Sequence, residues 1–453
     1  MKSNTQSTGH LTAGPYSTSS ARWSLVALIM TGMVFSLVDR QIIALLVEPI
    51  KADLGLTDTQ FSILLGPAFV VFYITFGLPF GWLADRLARR YVIAIGVTVW
   101  SFATVMCGAA WSFVTLAAAR AGVGAGEAAL MPSSMSIISD LFSRERLPFV
   151  TSIFSVSMHI GSAAAMLIGG VILSVLGDVE SIRIPLFGDV APWQFAFIAV
   201  GAPGFIVAFI FLLIPEPPRR RERPRAEVAA PQQTDGPGLV AFIKLNTRTI
   251  GAQFISASLL TISTYAFISW SAAYLMRAQG LSNDNAAFLL GVIALISGPA
   301  GTIGGGALST WLLKQKGRVD APWLVMILSA VGVGVFGTIT FLSPVQIVVF
   351  VMLGVSIFFG SLYIGIIHAA IQMIAPDHLR GQLAALLVLF MTGIGATSGP
   401  VIVALITDYV FKDPMKVGYS ILLVTLFVSF SVCALLGSNL RQYRESYARA
   451  EAA

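Results

Sequence analysis

The chain has 453 residues, 56% of them hydrophobic and 11% charged, with a formal net charge of +6. A soluble domain carries about 25% charged residues, so this composition excludes one. The scarce charges sit in short clusters between long apolar runs, and the basic excess is dispersed over several loops, which points to a polytopic membrane protein and away from a nucleic-acid partner.

Residues 1–21 are rich in Ser, Thr and Gly with no apolar core, and read as a disordered tail, not a cleaved signal peptide. Twelve apolar stretches of bilayer-spanning length follow, at residues 22–47, 60–84, 91–111, 113–141, 148–177, 192–214, 247–276, 284–313, 321–342, 344–374, 380–408 and 416–437. Between the sixth and seventh, Pro215 to Gly238 is rich in Pro, Arg, Glu and Gln and cannot build a core. The expected division is a six-helix bundle at 22–214, a cytoplasmic linker at 215–246, a second bundle at 247–440 and a tail at 441–453. Lys and Arg crowd the loops on the side of the N-terminus, while the opposite loops hold only Lys51, Arg183, Arg277, Lys412 and Lys416. The positive-inside rule then places both termini in the cytoplasm. Cys107 and Cys433 both lie in apolar runs, so no disulfide framework is expected.

Span 1 carries Asp39-Arg40, and span 4 carries Arg120 and Glu127 within Arg-Ala-Gly-Val-Gly-Ala-Gly-Glu. Residues seven apart on a helix share a face about 10 Å apart along the axis, so Arg120 and Glu127 should look into one space; neighbours diverge by about 100°, so Asp39 and Arg40 should not. Ionisable groups in a bilayer usually mark a substrate or ion path. Two acids and two bases make a neutral set, with two readings. One is a permanent ion-pair network fastening span 1 to span 4. The other is a site where Asp39 or Glu127 exchanges a proton while an arginine holds an anionic group. Gly122 and Gly126 form a small-residue pair that lets another helix approach closely. The same run partly matches a dinucleotide fingerprint, but that motif must follow a strand and open a soluble helix.

Weaker candidates for the cavity wall are His159 in span 5, Tyr265 and Trp270 in span 7, and Tyr363 and His368 in span 10. The bland reading is packing for the histidines and interfacial anchoring for the aromatics. The second half holds no intramembrane acid before Asp408, so the charge chemistry belongs to the first half, and an apolar second half suits a substrate with a hydrocarbon tail. No nucleophile, metal-ligand or phosphate-loop motif is present, so no enzyme, cofactor or metal is expected.

Between spans 2 and 3 the sequence reads Gly81-Trp82-Leu83-Ala84-Asp85-Arg86-Leu87-Ala88-Arg89-Arg90. This resembles the Gly-x-x-x-Asp-Arg-x-x-Arg-Arg loop of the major facilitator superfamily, which implies a gating role for Gly81, Asp85, Arg86, Arg89 and Arg90. In that family such contacts latch the inner gate while the protein faces outward. The corresponding loop of the second half keeps glycine and basic residues but has Thr310 in place of the acid. Within the superfamily, Asp39-Arg40, Arg120 through Glu127-Ala128 and Ser139-Asp140-Leu141-Phe142 resemble Spinster-type lysolipid transporters over roughly residues 30–170, with Ala121 where glycine is usual. The resemblance implies an all-α polytopic fold of 12 transmembrane helices in two pseudo-symmetric six-helix bundles, with the site at the midplane between them. It also implies alternating access with Asp39, Arg40, Arg120 and Glu127 as a polar, proton-coupled site. The expected substrate is a lysophospholipid or sphingosine-1-phosphate-like lipid. The alternatives are a transporter of small organic anions or drugs and a non-transporting membrane sensor. The chain looks bacterial in style, so the inner (plasma) membrane is the expected location, and a monomer the expected state.

Overall fold

The computed structural model describes residues 15–142, 147–176, 179, 181–185, 187–217, 219, 238–376 and 379–452. The expected disordered tail and most of the expected linker fall outside the described residues. Among the described residues, ten helices are long and apolar enough to cross a membrane, from Ser19–Ala44 near the N-terminus to Pro414–Ser438. The remaining two crossings are interrupted helices. Span 4 is Phe113–Glu127 followed by Leu130–Leu141, and span 10 is Gln346–Ser361 followed by Ile367–Gln372. An even number of crossings brings both chain ends to one side, called here the terminal face; the other is the distal face.

Local chemistry sets the helix ends. Span 2 opens on a capping box, with Thr57 accepting from Gln60 and the Gln60 side chain returning to the Thr57 amide. Ser112 and Thr115 do the same for span 4. Span 8, Asn283–Lys316, ends on left-handed Gly317. Other breaks lie inside the bilayer. Span 2 is split at Gly66 into Asp58–Leu65 and Pro67–Arg86, and span 11 carries wide π turns at Met391–Ala396 and Ile406–Phe411.

Spans 1–6 pack as one bundle and spans 7–12 as the other, with span 5 (Leu147–Leu176) laid along span 8 and span 2 touching span 11 across the boundary. In the first bundle the glycines of span 4 set the spacing. A Cβ at Gly126 would meet the Trp100 amide of span 3 at 2.5 Å, and one at Gly124 would meet the Phe69 carbonyl of span 2 at 2.2 Å. The glycine run is thus packing surface on a membrane helix, as its position implies. Gly122 meets only the Ala103 methyl, at 3.0 Å. A short antiparallel hairpin, Ile182–Ile184 with Gly188–Val190, projects from the distal face. Cys107 and Cys433 are both free.

The third span of each half begins with a buried ion. Arg89, the first residue of span 3 (Arg89–Cys107), is fully buried; it pairs with Asp140, and with Glu216 just after span 6 at 3.1 Å. Asp320 precedes span 9 (Ala321–Leu342) and is fully buried too, held by Arg318 at 2.9 Å and Arg444 at 2.6 Å. Arg444 belongs to a terminal helix, Leu440–Ala452, so the segment expected only as a tail is ordered and docked. Its Tyr443 hydroxyl donates to the Ala370 carbonyl at 2.9 Å, and its Ser446 hydroxyl meets that of Thr249 at 2.9 Å.

Candidate functional site

Span 1 is α-helical from Ser19 to Gln41 and then tightens into a 3₁₀ turn at Ile42–Ala44. Asp39 and Arg40 sit in its last α turn and diverge as the helical step requires. Arg40 turns to span 4, where its Nη2 donates to Glu127 Oε2 at 2.5 Å and its Nε to the same oxygen at 3.2 Å. Ser36, one turn earlier on span 1, donates its hydroxyl to that oxygen as well, at 2.7 Å. Asp39 turns to span 3, where Oδ2 accepts from Thr104 at 3.3 Å. Both carboxylates are almost fully buried, and each keeps one unpartnered oxygen, Oδ1 of Asp39 and Oε1 of Glu127. Buried acceptors left bare are costly, and a proton on either carboxyl would change that balance.

Arg120 also faces span 1, but it grips backbone. Its guanidinium donates to the carbonyls of Asp39 at 3.3 Å, Arg40 at 3.4 Å and Leu64 at 3.3 Å. These carbonyls are orphans where the span 1 α-helix gives way and where the first segment of span 2 ends, and helix C-termini attract cations. Arg120 is fully buried. The Arg40 side chain retains 22% exposure against 0% for Glu127. It lies face-on to Phe69 and Tyr73 of span 2, with its guanidinium carbon 4.5 and 5.1 Å from the ring centroids. Phe69 has Arg120 at 5.3 Å as well. A cation on an aromatic face gains more when desolvated. Arg40 is therefore the member of the charged set that a ligand can reach.

The weaker candidates scatter. Tyr265 is half-buried in span 7. Tyr363 is buried with its hydroxyl 3.1 Å from that of Thr264. His159 meets Thr302 of span 8 at 3.3 Å, in the seam between spans 5 and 8. His368 is half-buried in the short second segment of span 10. Trp270 is fully buried, its indole N–H donating to the Pro400 carbonyl at 3.0 Å, which makes it an anchor between spans 7 and 11.

Two faces flank this centre. On the distal face the bundles are locked. Arg277 at the end of span 7 (Thr247–Arg277) donates to Asp58 at 2.7 and 2.9 Å and to Glu48 at 2.6 Å, and Lys51 joins Asp58. The Thr59 amide and hydroxyl donate to Asp408 of span 11 at 2.7 and 2.6 Å. Gly66 faces the Thr397 carbonyl, 2.9 Å from where a Cβ would stand. On the terminal face, Gly77 and Gly81 of span 2 and Gly306 of span 8 have only open space at that position. The bundles are thus tied together distally, while these three glycines meet no neighbour on the terminal face. Arg89 and Arg90 of the loop are turned into their own bundle, Arg90 donating to the Ile214 carbonyl at 2.6 Å, and Arg86 stacks on Trp82 at 3.8 Å. The side chain of Asp85 lies outside the described residues.

Sequence reading singled out neither the Asp58–Arg277 lock nor the Phe69–Tyr73 shelf. The shelf had a signal, two aromatics one helical turn apart on span 2. The lock had only four loop charges near span ends, Glu48, Lys51, Asp58 and Arg277.

Comparison with known proteins agrees with this architecture. The family model described as Major Facilitator Superfamily matches residues 29–400. An MFS-type efflux pump of Mycolicibacterium smegmatis is 26% identical over 92% of each chain. A probable galactarate/D-glucarate transporter of Bacillus subtilis is 28% identical over 66% of this chain and 67% of its own. Among solved structures, an inward-facing, unoccupied bacterial homolog of the human lysosomal transporter Spinster superposes with a TM-score of 0.75 at 24% identity, covering 97% of this chain and 98% of that one. The chain therefore belongs to the major facilitator superfamily and is one of its membrane transporters, not an enzyme.

Proposed function

We propose that this transporter works by alternating access, moves an amphipathic anion of the lysophospholipid type and couples that movement to protons. The terminal face is read as cytoplasmic on the distribution of Lys and Arg, which makes this structure inward-open, in an inner (plasma) membrane. The observation that carries the reading is the Arg40–Glu127 pair. Arg40 is partly accessible, backed by two aromatic rings and already engaged by a buried carboxylate. An anionic head group arriving at Arg40 must displace Glu127, whose Oε1 has no partner to fall back on. Protonating Glu127 releases Arg40 without leaving a bare buried charge. Substrate and proton then load together. Asp39 lies one residue away on the other side of span 1 and serves as a second proton acceptor, while Arg120 holds the ends of spans 1 and 2 in place. The apolar second half accommodates the acyl chain.

The test is flux of a labelled lysophospholipid in proteoliposomes, with and without an imposed pH gradient. Saturable flux that follows the gradient in the native protein and ignores it in Glu127→Gln supports the mechanism. Gradient-driven flux that survives unchanged in that variant rules out Glu127 as the proton carrier.

A small hydroxylated organic anion is the second reading. It is favoured by the hydroxyl pair of Thr264 and Tyr363 in the second bundle and by the sugar-acid transporter among the relatives. Competition of the lysophospholipid flux by excess glucarate separates the two.

A further inference from the structure

The second bundle carries a cavity of about 390 Å³ on the terminal face, outside the central site, where the start of span 7 meets the terminal helix. Three cations line it: Lys244, Arg248 and Arg449. Lys244 and Arg248 are exposed, and neither has a hydrogen-bond or ion-pair partner among the described residues. Arg449 is fixed by one nitrogen, its Nη2 donating to Asn246 Oδ1 at 2.9 Å and to the Ser446 hydroxyl at 3.1 Å. Glu445, on the same rim, is occupied by Arg441 at 2.9 Å. The first residues of span 7, Thr247 to Thr249, also lie in the lining, and their amides have no intrahelical acceptors. Cations and free amides around one hollow select an anion.

The neighbouring short helix shows where that anion sits. Leu239–Leu245 leads directly into span 7, buries Phe242 and leaves Val240 and Leu245 at 65% and 61% exposure. Apolar side chains turned outward beside the end of a membrane span belong at the boundary between acyl chains and head groups. The hollow is therefore at head-group level, and basic pockets between transmembrane helices at that depth suit lipid phosphates.

We propose that this cavity binds the phosphate head group of an anionic membrane lipid. One phosphate reached by Lys244, Arg248 and Arg449 clasps the terminal helix to the start of span 7, so lipid composition sets how firmly that helix is docked.

The experiment uses the full chain in nanodiscs of phosphatidylcholine alone or with phosphatidylglycerol, reading bound lipid by native mass spectrometry and amide exchange of residues 440–452. Phosphatidylglycerol should be retained and should slow exchange of the terminal helix. The double variant Lys244→Gln, Arg248→Gln, at exposed positions, should weaken phosphatidylglycerol binding about 30-fold and return the exchange to its phosphatidylcholine level. Arg449→Gln should lose the protection as well. The double variant Lys314→Gln, Lys316→Gln, on another basic loop, should leave both readouts unchanged. Equal binding by native protein and the Lys244/Arg248 variant overturns the proposal, as does an equal loss in the Lys314/Lys316 variant. Protection of the helix by inorganic phosphate in phosphatidylcholine discs, equal to that by phosphatidylglycerol, assigns the site to a soluble anion and overturns the lipid.

Discussion

Arg277 and Asp58 close the distal face with a forked pair of hydrogen bonds, 2.7 and 2.9 Å, between residues 219 positions apart in the chain and in opposite bundles. The Asp58 side chain is fully buried and has Lys51 on its other side, so two cations share one carboxylate. Asp58→Asn removes that charge and leaves Arg277 with Glu48 alone. The expected outcome is a shift toward the distally open state, read as a longer spin-label distance between the distal ends of spans 1 and 7. Unchanged distances in Asp58→Asn and Arg277→Gln alike would show that packing at Gly66, and not this pair, holds the face shut.

The two arginines of the central set should respond differently to truncation. Arg120→Ala strips three carbonyl oxygens of their donor in a fully buried position, at a cost of about 3 kcal/mol or more. A drop of several degrees in thermal midpoint in detergent is expected. Arg40 is closer to solvent, so Arg40→Lys, which keeps charge but loses the planar fork, should leave the midpoint nearly intact while lowering substrate affinity roughly tenfold or more. Equal loss of stability in both variants would contradict the separation of roles.

Gly81 makes no close contact here, so a side chain fits this conformation. Gly81→Leu should therefore fold normally and bind substrate from the terminal face. Closing that face brings span 2 against its neighbours, and the added side chain should block it. Flux then falls at least tenfold while binding persists. Native flux in Gly81→Leu would remove this residue from the gate.

Asp320 outside the membrane supplies a pH test. Burial pushes its carboxyl up, but the Arg318 and Arg444 guanidiniums outweigh burial and hold it below the usual carboxylate range. A depressed folded value means that this tie contributes above the unfolded pKa, near 3.9, and is lost as pH falls through the folded one. Asp320→Asn should free the terminal helix at neutral pH, seen as faster amide exchange over residues 440–452. The native protein should show the same change only in strong acid. Identical exchange in variant and native protein at neutral pH would leave the helix held by Tyr443 and Ser446 alone.

The twelve crossings were legible because each is a long apolar run, and the divergence of Asp39 from Arg40 followed from the helical step alone. The pairing of Arg40 with Glu127 was one of the partnerships that charge balance offered. The role of Arg120 was hidden. Its acceptors are backbone oxygens that become free only where span 1 tightens at Ile42 and span 2 breaks at Gly66; the Gly66-Pro67 pair marks the second event, but no side-chain pattern announces the first. The lock was hidden for another reason: Asp58 and Arg277 are ordinary loop charges until the two bundles close. The terminal segment was expected only as a tail, although Leu440, Tyr443 and Tyr447 recur on one face of an otherwise polar stretch and carry a helical signal.

The ions at the starts of spans 3 and 9 are of opposite sign, and each is met by a counter-charge from the segment that follows its own sixth span, Glu216 for Arg89 and Arg444 for Asp320. Each half thus carries a lock cut for its own key. Were the terminal helix to settle on the first half, Arg444 would face Arg89; were the segment after span 6 to settle on the second, Glu216 would face Asp320. Either error sets like charges together in a buried place. As the chain emerges, the first half can be sealed before the second exists, and the late-arriving terminal helix finds only one berth that accepts it.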